Sequence, residues 1–336
     1  MKKRWTDADH VRRNTARSQE QVERSRRSHE KKRALRRQRS GKPSPRTVRR
    51  RNILPQIEVL APTVFSLLDN PDATIHFLNR FRQILREHHV LVKLGHINRL
   101  GPEAIAAFLA TMKHPNVADS RVAGDYPQDG TLRQILEGSG FFDHVRGGTP
   151  HSSSLGTGKM YRIEQNRMVI ARIAMELSVF AMSQLHGVAA KHGPSYSLLM
   201  ETMANTFDHA SLNSLEKQEW WASVYFDRIL QRACFTFIDQ GIGIMRSYPF
   251  LQRLKHFPMA FHDAGEKLQR LLLGQIPSRT KERHRGRGLP KAYQAWESGR
   301  VKNLVVIANN AYANAQKQEF KELSVSFDGT IVYWEI

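Results

Sequence analysis

Residues 198–210, LLMETMANTFDHA, put two carboxylates, a carboxamide and an imidazole into one helical stretch. At about 100° per residue, Asn205 lies roughly 40° round the helix from Glu201, Asp208 about 20° the other way and His209 about 80° round. The four polar groups share an arc of roughly 100°, the width of a core-facing stripe. Leu199, Met203 and Phe207 fall on the opposite side, where they can pack. A solvated face would favour Lys and long Glu chains over short Asn, Asp and His. Such an arc either lines a ligand site or forms a hydrogen-bonded polar seam between domains.

Two further stretches bear on that choice. CFTFIDQGIGI (234–244) is an apolar β-run ending in Asp239, followed by Gly241 and Gly243. A carboxylate at the end of a buried strand can point into a pocket, and Gly-X-Gly lets the chain turn tightly against a ligand. RHRGRGLPKAYQAW (283–296) sets Gly286 and Gly288 just before an amphipathic helix. There, free backbone N–H groups can meet phosphate. The bland alternatives are an ordinary turn and an ordinary loop-to-helix junction. A third glycine motif, GTGK (156–159), fails as a P-loop: Ser153 stands where the first glycine is required, and Met160 replaces the Ser/Thr that holds magnesium.

Taken in order, these stretches resemble the Bergerat fold of the GHKL superfamily, which contains gyrase-type topoisomerases, chaperone ATPases, histidine kinases and mismatch-repair ATPases. ETMANTFDHA would be the N box, DQGIGI the first glycine box, RGRGL the second, and FDGTIVYWEI the terminal strand, with Gly329 and Thr330 beside an adenine pocket. The resemblance covers residues 160–336 and is nearest to anti-sigma-type kinases. It implies ATP and Mg²⁺ as ligands and a mobile lid at 244–285. Asn205 would give its amide oxygen to Mg²⁺, and Glu201 would act as general base. Asp239 would accept from the adenine amino group, with Gly241 and Gly243 leaving room for the ring. Gly286, Gly288 and Leu289 would offer N–H groups to the phosphates, whose charge Arg285, Arg287 and Lys291 would neutralise. Thr330 would hold a water between itself, Asp239 and the base. Asp208 and His209 would brace the N-box helix or touch the ligand.

The elements that must position these residues follow from the rest of the chain. The net charge of +21 is concentrated in residues 1–51, where 20 Lys/Arg face 5 Asp/Glu. Residues 1–40 lack Gly and Pro and cannot bury a core, so a disordered or partly helical basic arm is expected, with a linker at SGKPSPRT (40–47). Residues 52–147 alternate strand-like and helical patterns: IEVLAPTVFSL, DATIHFLNRFRQILREH, HVLVKLG and GPEAIAAFLATMKH, with Gly138 or Gly140 closing a later helix. HINRLGPEAIAAFLATMK and GDYPQDGTLRQILEGSGFFDHV resemble segments of STAS-type domains. Asn98 and Arg99 occupy the turn where that family carries its phospho-acceptor, which argues against phospho-switching. Residues 148–165 read as an interdomain linker and 166–336 as the ATP-binding domain. The expected fold class is therefore α/β (α+β): a two-layer sandwich of helices on a mixed sheet, preceded by a small STAS-like α/β domain and the arm.

The single cysteine, Cys234, excludes an internal disulfide and thiolate-pair zinc sites. The longest apolar segment is broken by Arg172 and Glu176, so no membrane span is expected, and a cytoplasmic setting is the default reading. Three functions compete. One is an ATP-dependent conformational switch with slow hydrolysis, acting on a protein partner. Another is an anti-sigma-type serine/threonine protein kinase. The last is a nucleic-acid-binding module that uses the arm, with ATP as regulator. A sensor histidine kinase lacks its acceptor helix here. Gyrase-like strand passage is not expected either, because Ile336 directly follows the terminal strand and leaves no transducer to supply a γ-phosphate lysine.

Overall fold

The computed structural model describes residues 56–114, 122–145, 157–164, 169–209, 219–247, 263–276 and 288–336. The basic arm, the segment 248–262 and the second glycine box up to Arg287 lie outside the described residues. Residues 54–336 form one compact unit, a mixed α/β arrangement.

The N-terminal layer begins with β1 (Gln56–Leu60). The chain breaks at Ala61–Pro62–Thr63 and resumes as β2 (Val64–Phe65) in a different sheet. The single strand expected over 57–67 is therefore two, because Pro62 has no N–H to continue a ladder. Helix α1 (Pro71–Leu85) opens with Pro71 in its first turn, where the missing N–H costs nothing. After it come β3 (His89–Lys93), β4 (Arg99–Leu100), α2 (Pro102–Met112), β5 (Val122–Gly124) and α3 (Gly130–Gly138). Asp129 caps α3 by accepting from Leu132 N–H at 2.9 Å. Gly140 takes the left-handed conformation just beyond that helix, at φ 84°. Strands β1, β3 and β5 pair in parallel, as do β2 and β4.

A larger sheet is built from β6 (Gly158–Glu164), β7 (Glu219–Asp227), β8 (Arg232–Asp239), β9 (Lys302–Ala308), β10 (Ala311–Asn314), β11 (Glu319–Glu322) and β12 (Thr330–Glu335). The strands lie in the order β11-β10-β9-β12-β8-β7-β6, and each described pairing is antiparallel. The expected mixed sheet is thus corrected. Short hairpins join β7 to β8 and β9 through β11, and only antiparallel neighbours can be joined so tightly. β12 then inserts between β8 and β9. β6 also falls within the stretch expected to be a linker, where a flanking run of Gly and Ser hides the strand from a reading of the sequence.

Helices α4 (Ala171–His186), α5 (Gly193–His209), α6 (Ile244–Ser247), α7 (Ala264–Leu272) and α8 (Gly288–Glu297) complete the described elements. α7 lies inside the range expected to be a mobile lid, yet Leu268, Leu271 and Leu272 are buried. Asp263 caps it through Glu266 N–H at 2.7 Å. At Gly265 an added Cβ would come within 2.3 Å of the Lys321 backbone, so the helix sits directly on β11.

The large sheet is covered on both faces. Phe235, Phe237, Val306, Val332 and Trp334 pack on one side with α4, α5, α7 and α8. Cys234, Ile238, Ile307, Ile331 and Tyr333 pack on the other with α1 and α2. The expected two layers have a third, supplied by residues 56–145. Phe108 on α2 centres that layer, its ring 5.1 Å from Phe81, 5.8 Å from Phe141 and 5.9 Å from Phe77. Phe108→Ala should cost about 3–5 kcal/mol. Four of the five tryptophans lie beyond residue 219, so Trp fluorescence reports on the large sheet and its helices. The variant should lower the urea midpoint seen by that signal. An unshifted Trp transition would mean that the two layers unfold independently.

Candidate functional site

Burial on both faces makes β8 an almost continuous apolar strand, and Asp239 ends it. Asp239 is 7% exposed and stands opposite Trp220 on β7 and Thr330 on β12. Its Oδ1 accepts from Gly241 N–H at 2.8 Å. Burial pushes its carboxyl up to about 7, against the opposing effect of that hydrogen bond.

The loop after Asp239 is held by backbone geometry. Gly243 has φ 80°, and a Cβ there would lie 2.5 Å from the Asn309 amide. Ile244 N–H donates to Thr330 Oγ1 at 3.1 Å. Gly329 has φ 136°, and its missing Cβ would fall 1.9 Å from the Asp239 carbonyl oxygen. These two glycines are therefore required by the protein's own packing before any ligand is considered.

Across from them, α5 presents Thr202, Asn205 and Thr206. Both threonine hydroxyls bond back into the helix, Thr202 to Leu198 O at 2.9 Å and Thr206 to Thr202 O at 3.1 Å. Leu199 and Met203 are buried behind, as the spacing implied; the side chain of Phe207 lies outside the described residues. Phe237 and Val332 line the pocket from the sheet, and Leu289 lines it from α8. A Cβ on Gly288 would meet Asn205 Nδ2 at 2.4 Å, so the start of α8 rests on that amide. The cavity among these groups is about 20 Å³, room for about one water. A purine needs far more room than this, so it could enter only if the lining moved apart.

The structure thus gathers Asn205, Asp239, Gly243, Leu289 and Thr330 round one pocket, with Gly241 and Gly288 bonded to or resting on its members. Glu201 and Lys291 are placed differently. They form an ion pair with each other in a neighbouring depression of about 690 Å³ between α5 and α8, which Lys191, Tyr196 and Arg300 also line. The polar arc on α5 is therefore divided. Asn205 reaches the pocket together with Thr202 and Thr206, which lie further round the helix from Glu201, and Glu201 faces the outer depression. Arg285, Gly286 and Arg287 lie outside the described residues, as do the side chains of Asp208 and His209. Among the described residues no group of three His, Cys, Asp or Glu side chains could hold a metal.

Sequence reasoning missed Asn309. It occupies the two-residue turn between β9 and β10 with φ 56° and is 2% exposed. Its Nδ2 donates to Ile242 O at 3.0 Å and Phe327 O at 3.4 Å, and its Oδ1 accepts from Arg246 N–H at 3.3 Å. One amide therefore ties the glycine loop, α6 and the segment before β12 together. The Asn-Asn pair between VVIA and AYAN signals a hairpin turn, though not what that turn touches.

The displaced carboxyl of Asp239 fixes the sign of a pH effect. From about pH 4 to about pH 7 the folded chain keeps a proton that the unfolded chain has lost, so this group's contribution to stability falls as pH rises through that window. Asn at 239 can still accept from Gly241 N–H but does not titrate. In urea unfolding, Asp239→Asn should gain on wild type progressively between pH 4 and 7 and hold that gain at pH 8. Parallel pH profiles for the two proteins would refute the assignment of that proton to Asp239.

No family model matches this chain, and no curated protein sequence matches it. Its function must be argued from the chemistry of these side chains.

Proposed function

We propose that residues 158–336 bind ATP with Mg²⁺ in a Bergerat-type site, and that the protein is an ATP-dependent conformational switch with slow hydrolysis. The observation that carries this reading is the pocket at the end of β8. A buried carboxylate and a threonine on paired strands face an asparagine on the helix above them, and a loop that turns through Gly243 at positive φ closes the side. Asp239 and Thr330 suit an adenine edge, because a buried carboxylate left with one N–H donor among the described residues gains from a second.

Asn205 fits the magnesium role. Its amide oxygen is a hard ligand, and Mg²⁺ usually takes few protein ligands beside phosphate oxygens and waters. The ion would neutralise phosphate charge; orienting the phosphates falls to the N–H groups at the start of α8, next to Asn205. The ion pair between Glu201 and Lys291 must open for either to act, and a phosphate competing for Lys291 would release the Glu201 carboxylate. With Asn205 and the start of α8 in contact, nucleotide entry and helix movement are one event, which is the property a switch needs. The N-terminal layer, with parallel strands and intervening helices, remains compatible with a STAS-like module that communicates with a protein partner.

One observation favours the kinase as a second reading. Glu201 opens onto the wide outer depression, which has room for a hydroxyl-bearing segment of a partner. The two readings differ in whether phosphate goes to water or to protein.

Calorimetry with MgATP should detect binding in wild type, weakened about tenfold or more by Asn205→Ala and by Asp239→Asn, the usual scale for losing a bond to a charged group. An N–H donor from the base favours ionised Asp239, so binding below about pH 7 should release protons, seen as a buffer-dependent enthalpy that Asp239→Asn abolishes. Glu201→Gln should still bind but release no phosphate. Failure of wild type to bind any nucleotide would end this reading.

A further inference from the structure

Residues 323–329 connect β11 to β12 and deliver Thr330 to the pocket. Helix α1 of the N-terminal layer grips this segment from outside at three points. Asp72 Oδ1 accepts from Ser324 N–H at 2.7 Å and from its hydroxyl at 2.6 Å. Asn79 Nδ2 donates to Ser326 O at 2.9 Å. Arg82 Nη1 meets Asp328 Oδ2 at 3.2 Å, its guanidinium also 2.8 Å from His114 Nε2.

The pocket grips the same segment from the other side. Arg246, two residues beyond the glycine loop's last contact with Thr330, sets Nη1 3.2 Å from Asp328 Oδ1 and donates from Nη2 to Ser326 Oγ at 3.3 Å. Asn309 accepts from Phe327 N–H at 3.0 Å and donates its own N–H to Gly329 O at 3.2 Å. Asp328 therefore divides its two oxygens between a guanidinium from α1 and one from α6. Immediately after it, Gly329 runs close beside the end of β8, where even a Cβ would collide with the Asp239 carbonyl oxygen, so a shift at 328 bears on 329, 330 and Asp239.

We infer that Arg82, acting through Asp328, is a positioning residue for the Asp239 pocket, so that the N-terminal layer regulates the site by holding the segment that carries Gly329 and Thr330. Arg82 does not line that pocket, and 17% of its side chain is exposed against 53% for Asp328. An isolated half-exposed pair would contribute little to stability. Its effect here comes from geometry: the carboxylate is shared, and the chain beyond it runs tight against the end of β8. As regulation of nucleotide binding, the inference rests on the function proposed above; as positioning of the pocket, it can be read without any nucleotide.

The test compares Arg82→Gln and Asp328→Asn, both close in shape to the native residues, with Arg82→Lys and with Arg99→Gln. The last breaks the 2.7 Å pair between Arg99 and Asp69, elsewhere in the same layer. The first readout is amide hydrogen exchange at 241–246 and 329–330 in the nucleotide-free chain, and the second is the Kd for MgATP. Arg82→Gln and Asp328→Asn should speed exchange at those amides about three- to tenfold and weaken MgATP by a similar factor, the scale of a mutation that perturbs coupling between sites. Exchange in the middle of β7 should not change. Arg82→Lys should restore most of both effects, and Arg99→Gln should cause neither. Unchanged local exchange in both variants overturns the inference, and so does a uniform rise across the whole chain, which would indicate only loss of stability. Local acceleration in a protein that binds no nucleotide would uphold the positioning role and remove the nucleotide reading instead.

Discussion

The constraint on which the rest depends is the burial of the large sheet on both faces. Strands sandwiched between α4, α5, α7 and α8 on one side and α1 and α2 on the other have no solvated face for a polar side chain. Most of their polar chemistry is pushed to the strand ends. Antiparallel pairing then decides which ends meet. Asp239 closes β8, Thr330 opens β12, and Ala308 closes β9, all three in register, so Asn309 in the next turn falls at the same end. The pocket is a consequence of that register. A one-residue slip of β12 would remove Thr330 from Asp239 and turn Val332 to the opposite face.

Desolvation sets the chemical character of that end. Asp239 keeps its proton nearly to neutrality because its surroundings supply one N–H group and apolar walls. The site therefore gains when a donor arrives and loses when a bare anion is left there. Closure works in the same direction. Gly288 against Asn205 narrows the pocket, and the ion pair between Glu201 and Lys291 keeps a second carboxylate satisfied outside it.

How far all this was legible in the sequence depended on the range of the interaction. The apolar run ending in Asp239, the glycines that follow it and the packing of Leu199 and Met203 are local patterns, and each lies where its spacing indicated. Helical spacing on α5 put Glu201 and Asn205 on neighbouring faces but could not say that α8 would divide them, with Asn205 going to the pocket and Glu201 to Lys291. α7 was hidden because an amphipathic segment between two glycine motifs reads equally well as a moving cover or as a packed helix; Gly265 against Lys321 is a contact between residues 56 positions apart. β6 and the antiparallel character of the sheet depended on pairings with distant strands. Asn309 was legible as a turn residue only, since its amide bonds reach residues from 242 to 327.

The third layer changes what the fold can do. With helices on one face only, a sheet of this kind would present its far side to any passing surface, and a partner would have to create its influence on the pocket. Here α1 is already hydrogen-bonded to the segment that ends in Gly329 and Thr330. Arg82 and Arg246 hold opposite oxygens of one carboxylate, so Asp328 joins the N-terminal layer to the end of the glycine loop, beside the contacts of Asp72 and Asn79 with the same segment. Packed interfaces of this kind shift between discrete arrangements and do not deform smoothly. A partner that moved α1 by a fraction of an ångström would have to break the Arg82–Asp328 contact or carry Thr330 with it, and in either case the pocket would register the change.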